Sequence, residues 1–270
     1  MTAPAQRLRT AAEALAANRL SPGPLEELPD ACRPMTLADA YAVQSVLADL
    51  LAEQWGKPAG FKIGCTTEVM QQFLGIDHPC AGHILAARLH EGRAEFPIDS
   101  FHRVGVECEI AVSLGLAIDA ERLAAGREAI AAAIASHHTA IEIVDARYYD
   151  YTTMTTPTLV ADDFFQAAAV IGEPRPLTTT TDLSALKGHM TIDGKRVGAG
   201  RGADILGHPL AALEWLARQR IELGAPLDGG VTILLGSVVQ TQWIEMPPGG
   251  STTVEVAFEG LTPCQVEFRV

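Results

Sequence analysis

One ten-residue segment constrains the fold of this chain more than any other stretch. From Arg103 to Val112, apolar residues occupy the even positions, whereas Glu107 and Glu109 stand at odd positions. This period of two predicts a half-buried β-strand that projects both carboxylates from one face, roughly 7 Å apart. Two interpretations follow: a solvated acidic strand face, or a pair of oxygen ligands for a hard divalent cation such as Mg²⁺ or Mn²⁺.

A third glutamate lies in another apolar segment. Glu142 interrupts residues 140–144, which the same pattern predicts to be a strand. A carboxylate is expensive to bury there unless it is protonated, paired or bound to a metal. Glu142 could therefore pair with an arginine such as Arg147, or join Glu107 and Glu109 in a site of three carboxylates. The residue pattern leaves both alternatives open.

Two further residues are candidates for chemistry. Lys62 stands between apolar residues and glycines in segment 60–64. Its side chain either extends to the surface or works in a site, where it could bind a substrate carboxylate or transfer protons if burial lowers its pKa. Asp77 precedes His78 and Pro79 in a predicted turn, where an aspartate commonly caps the turn.

Charge and cysteine content exclude several classes of protein. The net charge of the 270 residues is −13, without a basic stripe, which argues against a nucleic acid or an anionic membrane as partner. The five cysteines form no Cys-x-x-Cys pair, so we expect reduced thiols. No apolar run approaches the length of a membrane span, and arginines interrupt the first twenty residues. We therefore expect a cytoplasmic protein.

The chain changes character near residue 60. Apolar residues at helical spacing predict helices over 3–19 and 36–55, so residues 1–59 form a helical N-terminal region. Residues 60–270 form a β-rich domain with two further helices, over 119–136 and 209–222. Beyond the segments already described, strands are predicted over 188–197, 231–235, 238–245, 252–258 and 265–270. The pattern indicates an α+β fold.

Several catalytic motifs are missing from the sequence. It contains no Gly-x-Ser-x-Gly elbow, no phosphate-binding loop and no dinucleotide fingerprint. Its eight histidines show no His-x-x-x-His zinc pattern. Serine hydrolases, ATPases and dehydrogenases are therefore disfavoured.

The candidate segments, taken in order, resemble the fumarylacetoacetate hydrolase superfamily. Within it, the closer resemblance is to the branch of 2-keto-4-pentenoate hydratases and 4-oxalocrotonate decarboxylases. The segments that carry the resemblance are 60–64, 74–79, 106–111, 140–147, 159–163 and 234–237. Each is weak alone, whereas the ordered set spans nearly the whole chain.

The resemblance implies a fold and a site. The family fold is a mixed, β-roll-like domain behind a small helical N-terminal region. Carried over to this sequence, the resemblance implies that Glu107, Glu109 and Glu142 hold one Mg²⁺ or Mn²⁺ ion. It also implies that Lys62 and Asp77 bind substrate and move protons, and that the chain forms a homo-oligomer.

Two segments depart from the family pattern. Members usually follow the Ala-Asp of segment 159–163 with asparagine and small residues, whereas Asp162 is followed here by Asp163 and two phenylalanines. After Ser237, the family has small or apolar residues where this chain has Val-Val-Gln-Thr-Gln-Trp. We expect both segments to shape the substrate pocket, with Asp162, Ser237 and Gln240 binding substrate.

The leading functional hypothesis is hydration of a 2-hydroxypenta-2,4-dienoate-type substrate to a 4-hydroxy-2-oxo acid. The main alternative is decarboxylation of a 4-oxalocrotonate-type diacid on the same metal site. A third is a weakly active subunit that associates with a partner enzyme of the same pathway. Hydrolysis of an acylpyruvate ranks lower, because the N-terminal region contains no His-x-x-Glu pair to activate water.

Overall fold

The computed structural model of the protein describes residues 3–270. Its α-helices are α1 (Ala3–Leu20), α2 (Leu37–Trp55), α3 (Glu68–Leu74), α4 (Ala120–Ala124), α5 (Arg127–Ala131), α6 (Thr156–Ala161) and α7 (Pro209–Glu222). Its strands are β1 (Pro58–Gly64), β2 (Cys80–Leu85), β3 (Leu89–Glu91), β4 (Arg93–Pro97), β5 (Val104–Leu114), β6 (Ile134–Asp145), β7 (Gln166–Ile171), β8 (Arg175–Pro176), β9 (Lys187–Ile192), β10 (Lys195–Arg201), β11 (Thr232–Ser237), β12 (Gln242–Trp243), β13 (Ser251–Phe258) and β14 (Cys264–Arg269). The α+β class and the helical N-terminal region are confirmed.

Local capping explains where α2 begins and ends. The Thr36 hydroxyl accepts a hydrogen bond from the Asp39 backbone N–H at 3.1 Å, which satisfies a free donor of the first turn. Gly56 follows the last turn with a φ of 74°, a conformation that glycine adopts without steric cost. These two caps define the length of α2, which packs against α1.

The strands form two mixed sheets. The larger has the order β2-β1-β11-β5-β6-β7-β3, and the short strands β12 and β8 pair with β5 and β6. Within it, β1 and β11 are parallel, whereas β5 is antiparallel to both β11 and β6. The smaller sheet has the order β10-β9-β13-β14-β4. This topology places β1, β11, β5 and β6 side by side.

The main core lies between the two sheets. Val106, Cys108 and Ile110 of β5 are fully buried in one apolar cluster with Val256 and Phe268 of the smaller sheet. The odd positions of β5 point to the opposite face, because side chains alternate along a strand. That face lies on the side of the larger sheet where α2 and α6 pack.

Some local predictions were wrong in extent. The helix predicted over 119–136 is divided into α4 and α5 at Gly126, which has a φ of 91°, and its last three residues, 134–136, belong to β6. The strand predicted over 238–245 shrinks to β12. Helices α3 and α6 were not predicted, since six or seven residues carry little periodic signal.

All five cysteines are buried, and none of them is in a disulfide. Within residues 3–270, no helix combines the length and the apolar character needed to cross a bilayer. Residues 1 and 2 of the predicted N-terminal region lie outside the described residues.

Candidate metal and substrate site

Strand register brings the three glutamates together. In the antiparallel β5–β6 ladder, Glu107 stands directly opposite Glu142, and Glu109 follows two residues along the same face of β5. One carboxylate oxygen from each residue lies within 4.8 Å of the others. Three carboxylates on the centre of a rigid ladder form a compact oxygen cluster.

The hydrogen bonds of the cluster leave three buried oxygens without a donor, and Lys62 forms an ion pair with one of them, Glu142 Oε1. Glu107 Oε1 accepts a hydrogen bond from the Thr241 hydroxyl at 2.5 Å, and Glu109 Oε2 accepts one from the Gly236 N–H at 2.9 Å. Glu109 and Glu142 are fully buried. Glu109 Oε1 and Glu142 Oε2 accept no hydrogen bond from any described residue. Buried oxygens without donors call for a cation or a proton.

Lys62 supplies the positive charge beside this cluster. Its strand, β1, is separated from β5 only by β11. The lysine is 2% exposed, and its Nζ lies 3.1 Å from Glu142 Oε1. The side chain therefore points inward instead of extending to the surface. Arg147, the other partner considered for Glu142, pairs with Asp162.

Burial and charge shift the pKa values of these groups. Burial, followed by repulsion from the other two glutamates, raises the pKa of Glu109 well above its ordinary value. Burial also raises the pKa of Glu142, to about 7, although Lys62 opposes the shift. Burial alone would lower the pKa of Lys62, but attraction to Glu142, Glu107 and Glu109 outweighs it and raises that pKa. In the metal-free site, Lys62 is therefore an ammonium group.

The donor set fits a hard divalent cation. Mg²⁺ and Mn²⁺ prefer carboxylate oxygens, and three such residues leave coordination positions for water or substrate. A bound cation would also satisfy the two unpartnered oxygens and relieve the mutual repulsion of the carboxylates. The described residues thus suit a metal site better than a solvated acidic strand face.

A cavity of about 520 Å³ opens beside the cluster. Lys62 and Glu107 line it, and so do Thr241 and residues of α3. Four aromatic residues form much of the remaining lining: Tyr151, Phe164, Phe165 and Trp243. We call these four residues the aromatic wall. A volume of this size holds a small organic ligand.

Two of the predicted substrate-binding residues line this cavity. Ser237 does so at the end of β11, where its hydroxyl donates to the Val239 carbonyl at 2.6 Å and accepts from the Cys108 N–H at 3.1 Å. Gln240 lines it as an exposed side chain. Both of these hydrogen bonds join the Ser237 hydroxyl to backbone groups. Ser237 therefore stabilises the connection after β11, in addition to lining the cavity.

Two other predicted residues are not among the residues that line the cavity. Asp162 is fully buried, with Arg19 Nε 2.9 Å from its Oδ1, and Arg147 also pairs with it. Asp77 is exposed on the turn after α3. The structure thus places Lys62 and the three glutamates together, and it leaves Asp77 and Asp162 outside the cavity lining.

Sequence reasoning missed several residues of the site. Thr241 bonds Glu107, Thr66 lines the cavity from a loop, and Asp204 lines it from a short 3₁₀ helix. Thr241 lies in the segment after Ser237 that departs from the family pattern. This departure was the one feature of the sequence that could have pointed to Thr241. Thr66 and Asp204 carried no such signal, because their positions depend on tertiary packing.

Comparison with known proteins defines the family. Residues 84–269 match the family model described as Fumarylacetoacetate (FAA) hydrolase C-terminal. The chain therefore belongs to the fumarylacetoacetate hydrolase family, as the ordered segments predicted. The matched region includes the three glutamates, whereas Lys62 precedes it.

Individual relatives refine this assignment. The chain is 33% identical to a 2-keto-4-pentenoate hydratase of Paraburkholderia phymatum, over 98% of this chain and 95% of the relative. It is 30% identical to a 4-oxalocrotonate decarboxylase of a Pseudomonas species, over 82% and 84%. Among solved structures, it is similar to the 4-oxalocrotonate decarboxylase of Pseudomonas putida G7, complexed with magnesium and adipate. The TM-score is 0.89 at 23% identity, over 97% of each chain.

Proposed function

We propose that the protein is a divalent-metal-dependent hydratase. It adds water to a 2-hydroxypenta-2,4-dienoate-type substrate and yields a 4-hydroxy-2-oxo acid. The observation that carries this proposal is the cluster of Glu107, Glu109 and Glu142 with Lys62 beside a 520 Å³ cavity. The 33% identical relatives named 2-keto-4-pentenoate hydratase support it.

Glu107, Glu109 and Glu142 would hold the metal, Mg²⁺ or Mn²⁺. When bound, such an ion acts as a Lewis acid that stabilises negative charge on the oxygens of a 2-oxo acid. The names of solved relatives with magnesium and with Mn²⁺ are consistent with this choice. Thr241 and Gly236, which bond Glu107 and Glu109, hold the carboxylates in position.

Lys62 provides the positive charge that an acidic substrate needs. Its ammonium group faces the cavity beside the cluster, so it can bind the substrate carboxylate. Attraction to the glutamates raises its pKa and opposes release of its proton, contrary to the lowered pKa that the sequence led us to consider. A cation held by the same glutamates would weaken this attraction and make Lys62 a better proton donor. Protonation of the dienol at its far end gives a conjugated ketone, to which water then adds.

Asp77 is the second proton-transfer residue of this proposal. It is exposed and outside the cavity lining, so its participation requires the turn after α3 to move toward the cavity. Among the described residues that line the cavity, Asp204 is a further carboxylate that could accept a proton from water. Asp162 is assigned a structural part, because Arg19 and Arg147 already pair with it.

Decarboxylation of a 4-oxalocrotonate-type diacid is the second candidate. The 30% identical relative of that name and the TM-score of 0.89 favour it. It would use the same glutamates and Lys62. A homo-oligomer, and association with a partner enzyme of the same pathway, remain predictions.

The experiment follows the ultraviolet band of 2-hydroxypenta-2,4-dienoate with chelator-stripped protein, before and after Mg²⁺ or Mn²⁺ is added. We expect rapid loss of the band only with metal, and a product heavier by one water. Glu107→Gln should abolish this activity, whereas Glu259→Gln, which removes one exposed charge far from the site, should not. Metal-independent turnover, or full turnover by Glu107→Gln, would contradict the proposal. Release of CO₂ from the diacid, without hydration of the dienoate, would favour the second candidate.

A further inference from the structure

The aromatic wall is continuous and begins beside Lys62. The Lys62 Nζ lies 5.7 Å from the centroid of the Phe164 ring. From there, ring centroids follow at 5.6 Å to Phe165, 5.4 Å to Tyr151 and 6.4 Å to Trp243. A ligand whose carboxylate meets Lys62 therefore has a row of aromatic rings alongside it.

The cavity lining contains few charged side chains, and most of them are negative. Among the described residues that line it, the charged side chains are Lys62, Glu107 and Asp204. Lys62 is engaged with Glu142, so a second carboxylate at the far end of a ligand would meet no free cation there. A carboxylate buried without a partner is strongly disfavoured, whereas an alkyl or aromatic group gains free energy against the rings.

The volume also leaves room for a substituent. If each non-hydrogen atom takes about the room of a water molecule in the liquid, about 30 Å³, an unsubstituted dienoate of about eight such atoms fills roughly 240 Å³. The cavity measures about 520 Å³. Half of the space therefore remains for a group on the distal carbon, C-5.

The backbone that carries two rings of the wall, Phe164 and Phe165, is strained and firmly held. Asp163, Phe164 and Phe165 have φ values of 49°, 51° and 70°, in the left-handed region that non-glycine residues seldom adopt. Such a conformation persists only where the surroundings over-determine it, and it clusters at functional sites. The departure from the family pattern falls on these same three residues.

A buried ion network holds that segment. Arg19 of α1 pairs with Asp162 at 2.9 Å and with Asp163 at 3.3 Å. Asp163 also accepts the His83 backbone N–H at 2.8 Å, and Arg147 pairs with Asp162. All of these side chains are at most 8% exposed. The network therefore anchors the backbone immediately before Phe164 and Phe165.

We propose that the aromatic wall is a specificity subsite that selects dienoates with an apolar group at C-5 and rejects those with a carboxylate there. The inference rests on the proposed function, because it assumes that the ligand binds with its 2-hydroxy acid end at the metal cluster and Lys62. Asp162 and Asp163 then act as positioning residues for the wall.

The test compares three substrates at saturating Mg²⁺: 2-hydroxypenta-2,4-dienoate, its 5-phenyl derivative and its 5-carboxy derivative. For each, kcat/KM is measured from loss of the dienol band. We expect the 5-phenyl compound to exceed the 5-carboxy compound at least 100-fold. Comparable or better turnover of the 5-carboxy compound overturns the subsite but leaves the hydratase proposal intact. No turnover of any of the three overturns both.

Two variants separate the wall from other causes of selectivity. Trp243→Leu, on short strand β12, removes one ring of the wall without touching the strained segment. We expect it to lower the 5-phenyl to 5-carboxy ratio by about tenfold. Met70→Lys places a cation at the cavity from an exposed position of α3, where folding is not at risk. It should lower the same ratio by raising turnover of the 5-carboxy compound, and an unchanged ratio in both variants overturns the proposal.

Discussion

Replacing Glu109 by glutamine should affect the metal-free and the metal-bound protein differently. Glu109 is fully buried, and burial with like-charge repulsion raises its pKa well above the ordinary value. The neutral amide of Glu109→Gln therefore resembles the protonated carboxyl that the fold favours without metal. Its oxygen can still accept the Gly236 N–H, which lies 2.9 Å from Glu109 Oε2. Metal binding, in contrast, loses one of its three carboxylates.

The structure sets the size of both effects. Carboxylate oxygens of the cluster lie within 4.8 Å of one another. At an effective dielectric constant of about 20, two charges at that distance repel by about 3.5 kcal/mol. Without metal, the free energy of unfolding of Glu109→Gln should therefore equal that of the wild type or exceed it by up to about 3.5 kcal/mol. With Mg²⁺ at about 100 times its Kd, the wild type should gain about 2.7 kcal/mol, or roughly 5–10 °C in Tm.

Thermal unfolding at pH 8, in a chelator and in Mg²⁺, measures both effects. Glu259→Gln is the matched control, because it removes one exposed carboxylate in the turn after β13. The control should keep the Mg²⁺-dependent rise in Tm, whereas Glu109→Gln should lose most of it. The reasoning fails if Glu109→Gln is less stable than the wild type in chelator by more than about 1 kcal/mol. It also fails if the variant retains the full rise with Mg²⁺.

Three further predictions concern the same site. Lys62→Met should lower kcat/KM on the dienoate by about 10²–10⁴-fold while Mg²⁺ still raises Tm, and turnover within tenfold of the wild type would remove Lys62 from the chemistry. The raised pKa values of Glu109 and Glu142 (about 7 for Glu142) mean that the folded state binds protons more tightly than the unfolded state. The metal-free free energy of unfolding should therefore fall between about pH 5 and pH 8, by about 3 kcal/mol or less. Urea unfolding in chelator measures this fall, and a flat profile would contradict the shifts. Asp77→Asn should lower kcat/KM at least tenfold if the turn closes on the cavity, whereas wild-type steady-state rates would exclude Asp77 as a proton-transfer residue.

The positions of the three glutamates were partly readable from the sequence. Alternation along β5 assigns Glu107 and Glu109 to one face, because side chains on a strand repeat every two residues. The same rule places Glu142 on one face of β6. The register that sets Glu107 opposite Glu142 is a property of the ladder, and no local pattern encodes it. The resemblance to a family supplied that information.

The part played by Asp162 could not be read from its surroundings in the sequence. Its partner Arg19 lies 143 residues away in α1, a helix whose sequence shows only ordinary apolar spacing. A buried arginine and a surface arginine look alike in a sequence. The prediction of a substrate-binding aspartate therefore rested on its motif, and the structure places it in the ion network behind the aromatic wall.

The segment after β11 shows why the strand prediction there was too long. Gly236 has a φ of 124°, and the Ser237 hydroxyl takes the Cys108 N–H that a continuing strand would have bonded through its backbone. The chain then leaves the sheet and returns as β12. This detour brings the Thr241 hydroxyl to Glu107 Oε1 at 2.5 Å. The irregular backbone here therefore supplies the hydrogen bond that holds Glu107 in the cluster.

The chemistry and the selectivity of this site arise from different parts of the fold. Lys62 and the three glutamates stand on the central strands β1, β5 and β6, whose ladders fix the direction of each side chain. Three rings of the aromatic wall, those of Tyr151, Phe164 and Phe165, lie on segments that connect strands, and Trp243 lies on the short strand β12. The strained backbone of Phe164 and Phe165 is held by a buried ion network. Substitutions in those segments can reshape the distal pocket without moving the carboxylate cluster. A chain of this family can therefore retain the carboxylate cluster while its distal pocket changes. We expect the departure at 163–165 to bear on the substrate alone, whereas the departure at 238–243 also includes Thr241, which bonds Glu107.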